Sequence, residues 1–191
     1  MIAVEALRAL PWELLRPSAL VDFVQLSACG KPAVRLLVKG GAERRLVDSL
    51  SRLCVETGLD FAADGEGYAC VAGRKGEAER VLTIDRRAEA HELELGLALG
   101  YPPCCCEWVA RVGESAIDEY AAEVAAWTFT GPYRRIDPSG YRRGLSLVCH
   151  LPCSATCEAS LVIANKAREF LLGHKDDPLL SKLVNAPVMS D

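Results

Sequence analysis

The sequence lacks any long hydrophobic run, and its first residues, MIAVEALRALPWELLRP, carry charges at Glu5 and Arg8. Such a segment has neither the apolar centre of a secretory signal nor the length of a membrane span. We therefore expect no membrane partner and a cytoplasmic location. An excess of basic charge is also missing, since the formal net charge is −4, and this argues against bulk binding of nucleic acid.

Low-complexity segments are absent, and the only internal repeat is a short YRR echo. Cysteine, in contrast, is abundant: the 191-residue chain holds nine, and half of its residues are hydrophobic. A chain of this size and apolar content can bury a core without disulfide staples. An odd number of cysteines without an export signal favours free thiols, a metal site or catalysis over a disulfide framework.

Helix and strand patterns alternate in the first half of the chain. Helices are predicted over SALVDFVQLSACG and AERRLVDSLSRLCVETG, because apolar residues recur at helical spacing and a glycine ends each run. Four segments have strand character: AVRLLVK, LDFAA, YACVAG and RVLTID. The turn DGEG should join the middle two strands as a hairpin. Together these elements predict an α+β unit over residues 1–86.

Helical patterns dominate from Ala88 onward. Three helices are predicted, over AEAHELELGLALG, ESAIDEYAAEVAAW and CEASLVIANKAREFLLG. The tail after Gly173 is polar at its start and broken by proline, so we expect it on the surface. Residues 87–191 should thus form a mainly helical unit that bears most of the cysteines, and the two units can pack as one domain.

Six cysteines form two clusters that follow prolines, LGYPPCCCEW and LVCHLPCSATCEASL. Because proline is favoured at the first helical position, we predict a helix that begins at Pro103 with cysteines in its first turn. The exposed N–H groups and the dipole of a helix start stabilise a thiolate, which prepares it to bind metal or to attack. Successive helical residues point about 100° apart, so one or two of the three adjacent cysteines can share a centre.

The second cluster allows two helix starts. If the helix begins at Pro152, Cys153 and Cys157 lie at i and i+4 on one face. If Ser154 is the N-cap, Cys153 lies in the loop and Cys157 in the first turn. Both interpretations let the pair converge, whereas Cys149 precedes the proline in a segment that we expect to be extended.

Four thiolates drawn from the two clusters suit tetrahedral zinc or an iron–sulfur cluster, because soft ligands select these over magnesium or calcium. The spacing matches neither the paired C-x2-C of zinc ribbons nor a common ferredoxin run, so it leaves the metal open. The candidate ligands at this point are Cys153, Cys157 and one or two of the adjacent residues Cys104, Cys105 and Cys106. Cys105 and His150 are also the candidate catalytic residues, and His150 is suited to orient a sulfur by donating a hydrogen bond.

The motifs GYPPCC (Gly100 to Cys105) and HLPCSATC (His150 to Cys157), in this order around a helical stretch, resemble the family called domain of unknown function 483. The resemblance covers roughly Ala88 to Phe170. It implies that five residues act together: Cys104, Cys105, His150, Cys153 and Cys157. The four cysteines among them are the predicted metal ligands. Cys106 and Cys149 are additions in this sequence. The family supplies no reaction, but it implies that the two clusters belong to one site.

An arginine loop, PYRRIDPSGYRRGL, leads into the second cluster. Interleaved arginines and tyrosines could bind a phosphate, a carboxylate or a nucleotide base, and a solvated connection is the alternative. The candidate substrate-binding residues are Arg134, Arg135, Arg142 and Arg143. The isolated cysteines Cys29, Cys54 and Cys70 receive no role, since single cysteines in apolar patterns usually behave as small buried hydrophobes.

Three functions fit these patterns. The leading hypothesis is an iron–sulfur protein with a 4Fe-4S cluster, an enzyme of sulfur transfer or redox chemistry on a small anionic or nucleotide-like substrate. A zinc-stabilised binding module, in which all four thiolates are structural, is the first alternative. A thiol oxidoreductase without metal is the second.

Overall fold

The computed structural model describes residues 2–38, 43–87, 91–113, 119 and 131–189. In this part of the chain, eight α-helices surround one three-stranded antiparallel sheet, which confirms the α+β class. The helix predicted over ESAIDEYAAEVAAW lies outside the described residues except for Glu119. None of the described helices is both long enough and apolar enough to cross a membrane.

The helices are α1 (Val4–Arg8), α2 (Ala19–Ala28), α3 (Glu43–Thr57), α4 (Glu77–Asp85), α5 (Glu92–Ala98), α6 (Pro103–Val112), α7 (Glu158–Gly173) and α8 (Ser181–Val184). The strands are β1 (Ala33–Leu37), β2 (Asp60–Ala63) and β3 (Tyr68–Ala72). Short 3₁₀ turns occupy Trp12–Leu14, Gly131–Ile136, Tyr141–Arg143 and Pro187–Met189.

The sheet has the order β1-β3-β2, and the predicted hairpin of β2 and β3 is confirmed. The carboxylate of Asp64 holds its turn by accepting hydrogen bonds from the backbone N–H groups of Glu66, Gly67 and Tyr68. Alternate residues of the strands face opposite sides. Val34 and Val71 face α1, α2 and α3, whereas other strand residues pack against α4 and α5.

The strand predicted over RVLTID is wrong, because these residues belong to α4. The buried residues Val81, Leu82 and Ile84 do not alternate, and with Ala78 they cover one side of a helix. The negative charges of Glu77 and Glu79 in the first turn interact favourably with the helix dipole. Asp60 Oδ2 accepts a hydrogen bond from the Ala78 N–H at 2.9 Å. The run RVLTID begins at Arg80, after these acidic residues, so it does not include the signal of the helix start.

Helix α2 lies at the centre of the molecule, and its residues from Ala19 to Ser27 are all buried. Leu20, Val21 and Val24 pack with the carboxyl-terminal segments, while Phe23 packs with the amino-terminal helices and the sheet. One core cluster therefore contains residues from both predicted units, 1–86 and 87–191. The division between them remains a prediction.

The sequence predicted that the tail after Gly173 lies on the surface. This prediction is wrong for part of the tail, which is buried. Leu180, Leu183 and Val188 are buried in the core cluster beside α7. Asp177 forms an ion pair with Arg8, and its Oδ1 accepts the N–H groups of Leu179 and Leu180. The polar start of the tail is thus a turn that returns an apolar segment to the core, where burial stabilises it.

Candidate metal centre

Helix α6 begins at Pro103, as predicted, and Pro102 is its N-cap. Its first turn carries Cys104, which is exposed, and Cys105, which is buried. Pro103 suits this position because the first N–H groups of a helix have no intrahelical acceptor. Both thiols therefore stand at a helix start, where the backbone favours negative charge.

The second cluster lies at the start of α7, which begins at Glu158. Cys157 is its N-cap, in an extended conformation, and Cys153 lies in the preceding loop. The helix start predicted at Pro152 is therefore wrong, and so is the N-cap predicted at Ser154. The placement of Cys153 in a loop is right. A loop can turn the thiol of Cys153 toward Cys157 without helical spacing.

The structure brings together the four sulfurs that the sequence predicted as ligands. The Sγ atoms of Cys104, Cys105, Cys153 and Cys157 all lie within 4.8 Å of one another. The Sγ of Cys157 lies 3.6 Å from that of Cys105 and 3.8 Å from that of Cys104. Adjacent Cys104 and Cys105 have their sulfurs 3.9 Å apart, so both face one centre. This group could bind a metal ion.

Hydrogen bonds connect the sulfurs to His150 through Ser160. The Ser160 hydroxyl donates to Cys157 Sγ at 3.2 Å, and its oxygen lies 2.8 Å from His150 Nε2. Because a serine has one hydroxyl hydrogen, the geometry requires His150 Nε2 to donate to Ser160. His150 thus acts on the sulfur indirectly, and its buried Nδ1 has no hydrogen-bond partner among the described residues.

The environment separates the acidities of the sulfurs. Burial and the neighbouring Cys157 raise the pKa of Cys153 to about 11, and burial raises the pKa of Cys105. Burial acts in the same direction on Cys157, but hydrogen bonds with Ser160, and then with Cys105 and Cys153, together outweigh it, so the pKa of Cys157 falls below its ordinary value. Cys157 is therefore more acidic than Cys105 and Cys153.

His150 is 7% exposed. Burial first, and then the ammonium of Lys31, lowers the pKa of His150 to about 3, which keeps the imidazole neutral. A neutral imidazole with a hydrogen on Nε2 retains an acceptor lone pair on Nδ1. His150 lies beside Tyr101, with ring centroids 5.5 Å apart. Its predicted catalytic role, like that of Cys105, remains a prediction.

The other cysteines stand apart from this group. Cys106 is buried, and its thiol donates to the Tyr101 carbonyl at 3.6 Å. Cys54 and Cys70 are buried, in agreement with their treatment as small hydrophobes, and Cys29 is half-buried. Of the three adjacent cysteines, Cys106 is therefore the one that points elsewhere.

A buried network of charged and polar side chains near the metal centre could not be predicted from the sequence. Lys31 Nζ lies 3.3 Å from Asp22 Oδ1 and 3.0 Å from Cys149 Sγ, and it stands over the Tyr101 ring. The Tyr141 hydroxyl donates to Asp22 Oδ2 at 2.7 Å. Lys31 and Asp22 are 6% and 4% exposed. In the sequence, Lys31 follows a helix-ending glycine and shows no sign of burial, so only tertiary packing reveals it.

The arginine loop folds into two 3₁₀ turns, one for each YRR. Arg135 Nη1 donates to Asn165 Oδ1 of α7 at 2.9 Å. Arg142 and Arg143 are exposed, and Arg142 lines a cavity whereas Arg143 is not among its lining residues. Substrate binding by Arg134 and the other three arginines remains a prediction.

The cavity beside the centre has a volume of about 950 Å³. Residues of α2, β1, α5, α6 and the segment 141–151 line it. Cys105 and His150 of the candidate metal centre line the cavity. Asp22 and Cys149 of the charged network line it as well. The candidate metal centre and the buried charged network therefore both border this cavity.

Comparison of the chain with models of known families found no match. Searches of curated proteins and of solved structures found no match either. The geometry of the site is therefore the basis for assigning a function.

Proposed function

We propose that Cys104, Cys105, Cys153 and Cys157 bind one zinc ion and that this ion stabilises the fold. The observation that carries the proposal is the spacing of the four sulfurs. Four thiolates about 2.3 Å from one zinc ion form a tetrahedron with edges of about 3.8 Å. The separations of 3.6, 3.8 and 3.9 Å among Cys104, Cys105 and Cys157 agree with such edges.

A 4Fe-4S cluster has less support from this spacing. Its thiolates bind different irons, and the irons and sulfides fill the space between them, so the thiolates stand farther apart than around a single ion. All four sulfurs here lie within 4.8 Å of one another. The sequence-based hypothesis of an iron–sulfur enzyme in sulfur transfer or redox chemistry therefore ranks second.

A structural role follows from the ligand count. A zinc site with four protein thiolates is closed, whereas catalytic zinc keeps a position for water or substrate. The ion would connect the first turn of α6 to Cys153 in the loop before α7 and to Cys157, the N-cap of α7. The segment 144–157 contains no α-helix or strand, so few backbone hydrogen bonds hold it in place. The free energy of zinc binding would stabilise this segment in its folded conformation.

Elemental analysis of anaerobically purified protein tests the assignment. One zinc per chain in a colourless protein supports it. Cobalt in place of zinc should give the intense visible bands of tetrahedral cobalt with thiolate ligands. Iron with acid-labile sulfide in a brown protein would establish the cluster instead, and absence of both metals would leave a thiol oxidoreductase.

Two further proposals rest on sequence features. Membership of the domain of unknown function 483 family is supported by the motifs GYPPCC and HLPCSATC. A cytoplasmic location is supported by the cysteines, all nine of which are free. Free thiols and zinc thiolates persist best in a reducing compartment.

A further inference from the structure

The cavity beside the metal centre has the features of a ligand site. Its volume of about 950 Å³ lies at the upper end of the usual range for small-molecule pockets, about 300–1,000 Å³. Apolar side chains such as Leu36, Leu95 and Leu99 form much of its wall. The polar lining includes the buried residues Asp22, Cys149 and His150.

The Lys31–Asp22 pair has no evident structural reason to be ionic. Removing two charges from water costs several kcal/mol per ion, and a hydrophobic pair of similar volume is often equally stable or more so. A buried carboxylate with specific charge partners in a cleft is typical of functional sites. Asp22 lines the cavity, and Lys31 holds it from behind.

The part of the wall formed by Asp22 and Tyr141 offers hydrogen-bond acceptors. A carboxylate has about four lone-pair positions, and Lys31 and Tyr141 occupy two of those on Asp22. The Tyr141 hydroxyl uses its hydrogen on Asp22, so its oxygen can only accept a further bond. The ammonium of Lys31 already balances the charge of Asp22, so the ligand needs no cationic group to pair with this carboxylate. The wall therefore suits an uncharged N–H or O–H donor.

We propose that this cavity binds a small molecule with an apolar body, which places an uncharged N–H or O–H donor against Asp22. The proposal does not depend on the identity of the metal. Phenol and anisole are matched probes, because anisole carries a methyl group where phenol has its hydrogen. Phenol should bind about tenfold more tightly than anisole, the value expected for one hydrogen bond.

The test uses the full-length, metal-loaded chain, with binding measured by calorimetry and ligand-observed NMR. The double variant Asp22→Leu/Lys31→Met removes the acceptor without leaving a lone buried charge, and it should bind phenol and anisole equally.

Equal affinities of the wild-type protein for both probes would overturn the proposal. The absence of saturable phenol binding would overturn it as well. Zinc is assayed in the same samples. A chain that binds phenol as expected but lacks zinc would refute only the proposed function, and a zinc-loaded chain without phenol binding would refute only the ligand site.

Discussion

The sulfurs of Cys105 and Cys157 lie 3.6 Å apart, although 52 positions separate them in the chain. Cys105 is in the first turn of α6, and Cys157 is the N-cap of α7. Two helix starts thus meet at one point, and each favours negative charge there. Without a cation, two neighbouring thiolates would repel each other. A bound metal ion would neutralise this repulsion.

Cys105→Ala should weaken zinc binding by about a hundredfold or more, because it removes one of four ligands. Cys106→Ala is the matched control: it alters the adjacent buried cysteine of the same helix, whose thiol bonds to the Tyr101 carbonyl. Competition with a chromophoric chelator measures both affinities. Equal loss of zinc in the two variants would contradict the ligand assignment.

Removal of zinc should lower the melting temperature of the wild-type protein. Free zinc at a hundred times its Kd stabilises a folded protein by about 2.7 kcal/mol. Differential scanning calorimetry with and without a chelator measures this difference. Cys105→Ala should show almost no response to the chelator, and a response of wild-type size there would mean that the stabilising ion binds elsewhere.

Zinc binding should release protons and strengthen as the pH rises toward 9. Burial raises the pKa of Cys105 and, with Cys157, raises that of Cys153 to about 11, so both thiols are protonated near neutral pH in the metal-free chain. A thiol must lose its proton to become a ligand. Titration of zinc into weakly buffered apoprotein with a pH indicator measures the release. Zinc affinity that does not change between pH 6 and 8 would contradict this expectation.

Ser160→Ala should reduce zinc affinity by about tenfold, because partners that bond to ligands typically contribute about 10–100-fold. It removes the hydroxyl that connects Cys157 to His150. The cobalt-substituted variant should also show shifted thiolate-to-cobalt bands, since the sulfur loses a hydrogen bond. A variant with altered thermal stability but unchanged affinity and spectrum would indicate a purely structural role for Ser160.

The arginine loop can be tested with a probe that has a donor at one end and an anion at the other. If Arg142 at the cavity binds an anionic group, 4-hydroxybenzoate should bind more tightly than phenol, and the difference should shrink with added salt. Arg142→Gln should remove this advantage. Arg143→Gln is the control, because Arg143 is not among the cavity-lining residues. Equal effects of both substitutions would favour a solvated connection.

Local patterns in the sequence determined most of the individual elements. The helix start at Pro103 and the β2–β3 hairpin depend on proline and turn residues, whose backbone preferences are nearly independent of the rest of the chain. The two cysteine clusters are also visible locally, but the choice of Cys104 and Cys105 within the first cluster came from the family resemblance of the two motifs. The strand predicted over RVLTID was wrong because a short apolar run fits either a helix or a strand.

Tertiary structure alone decided what these elements form together. The spacing of Cys104 and Cys105 leaves open whether both face a common centre, and the path of the loop before α7 settles that both do. The burial of Lys31 beside Asp22 depends on α2, β1 and a segment more than a hundred residues away. Helix and turn propensities act over a few residues, whereas burial and charge pairing depend on distances in space that neighbouring residues do not encode.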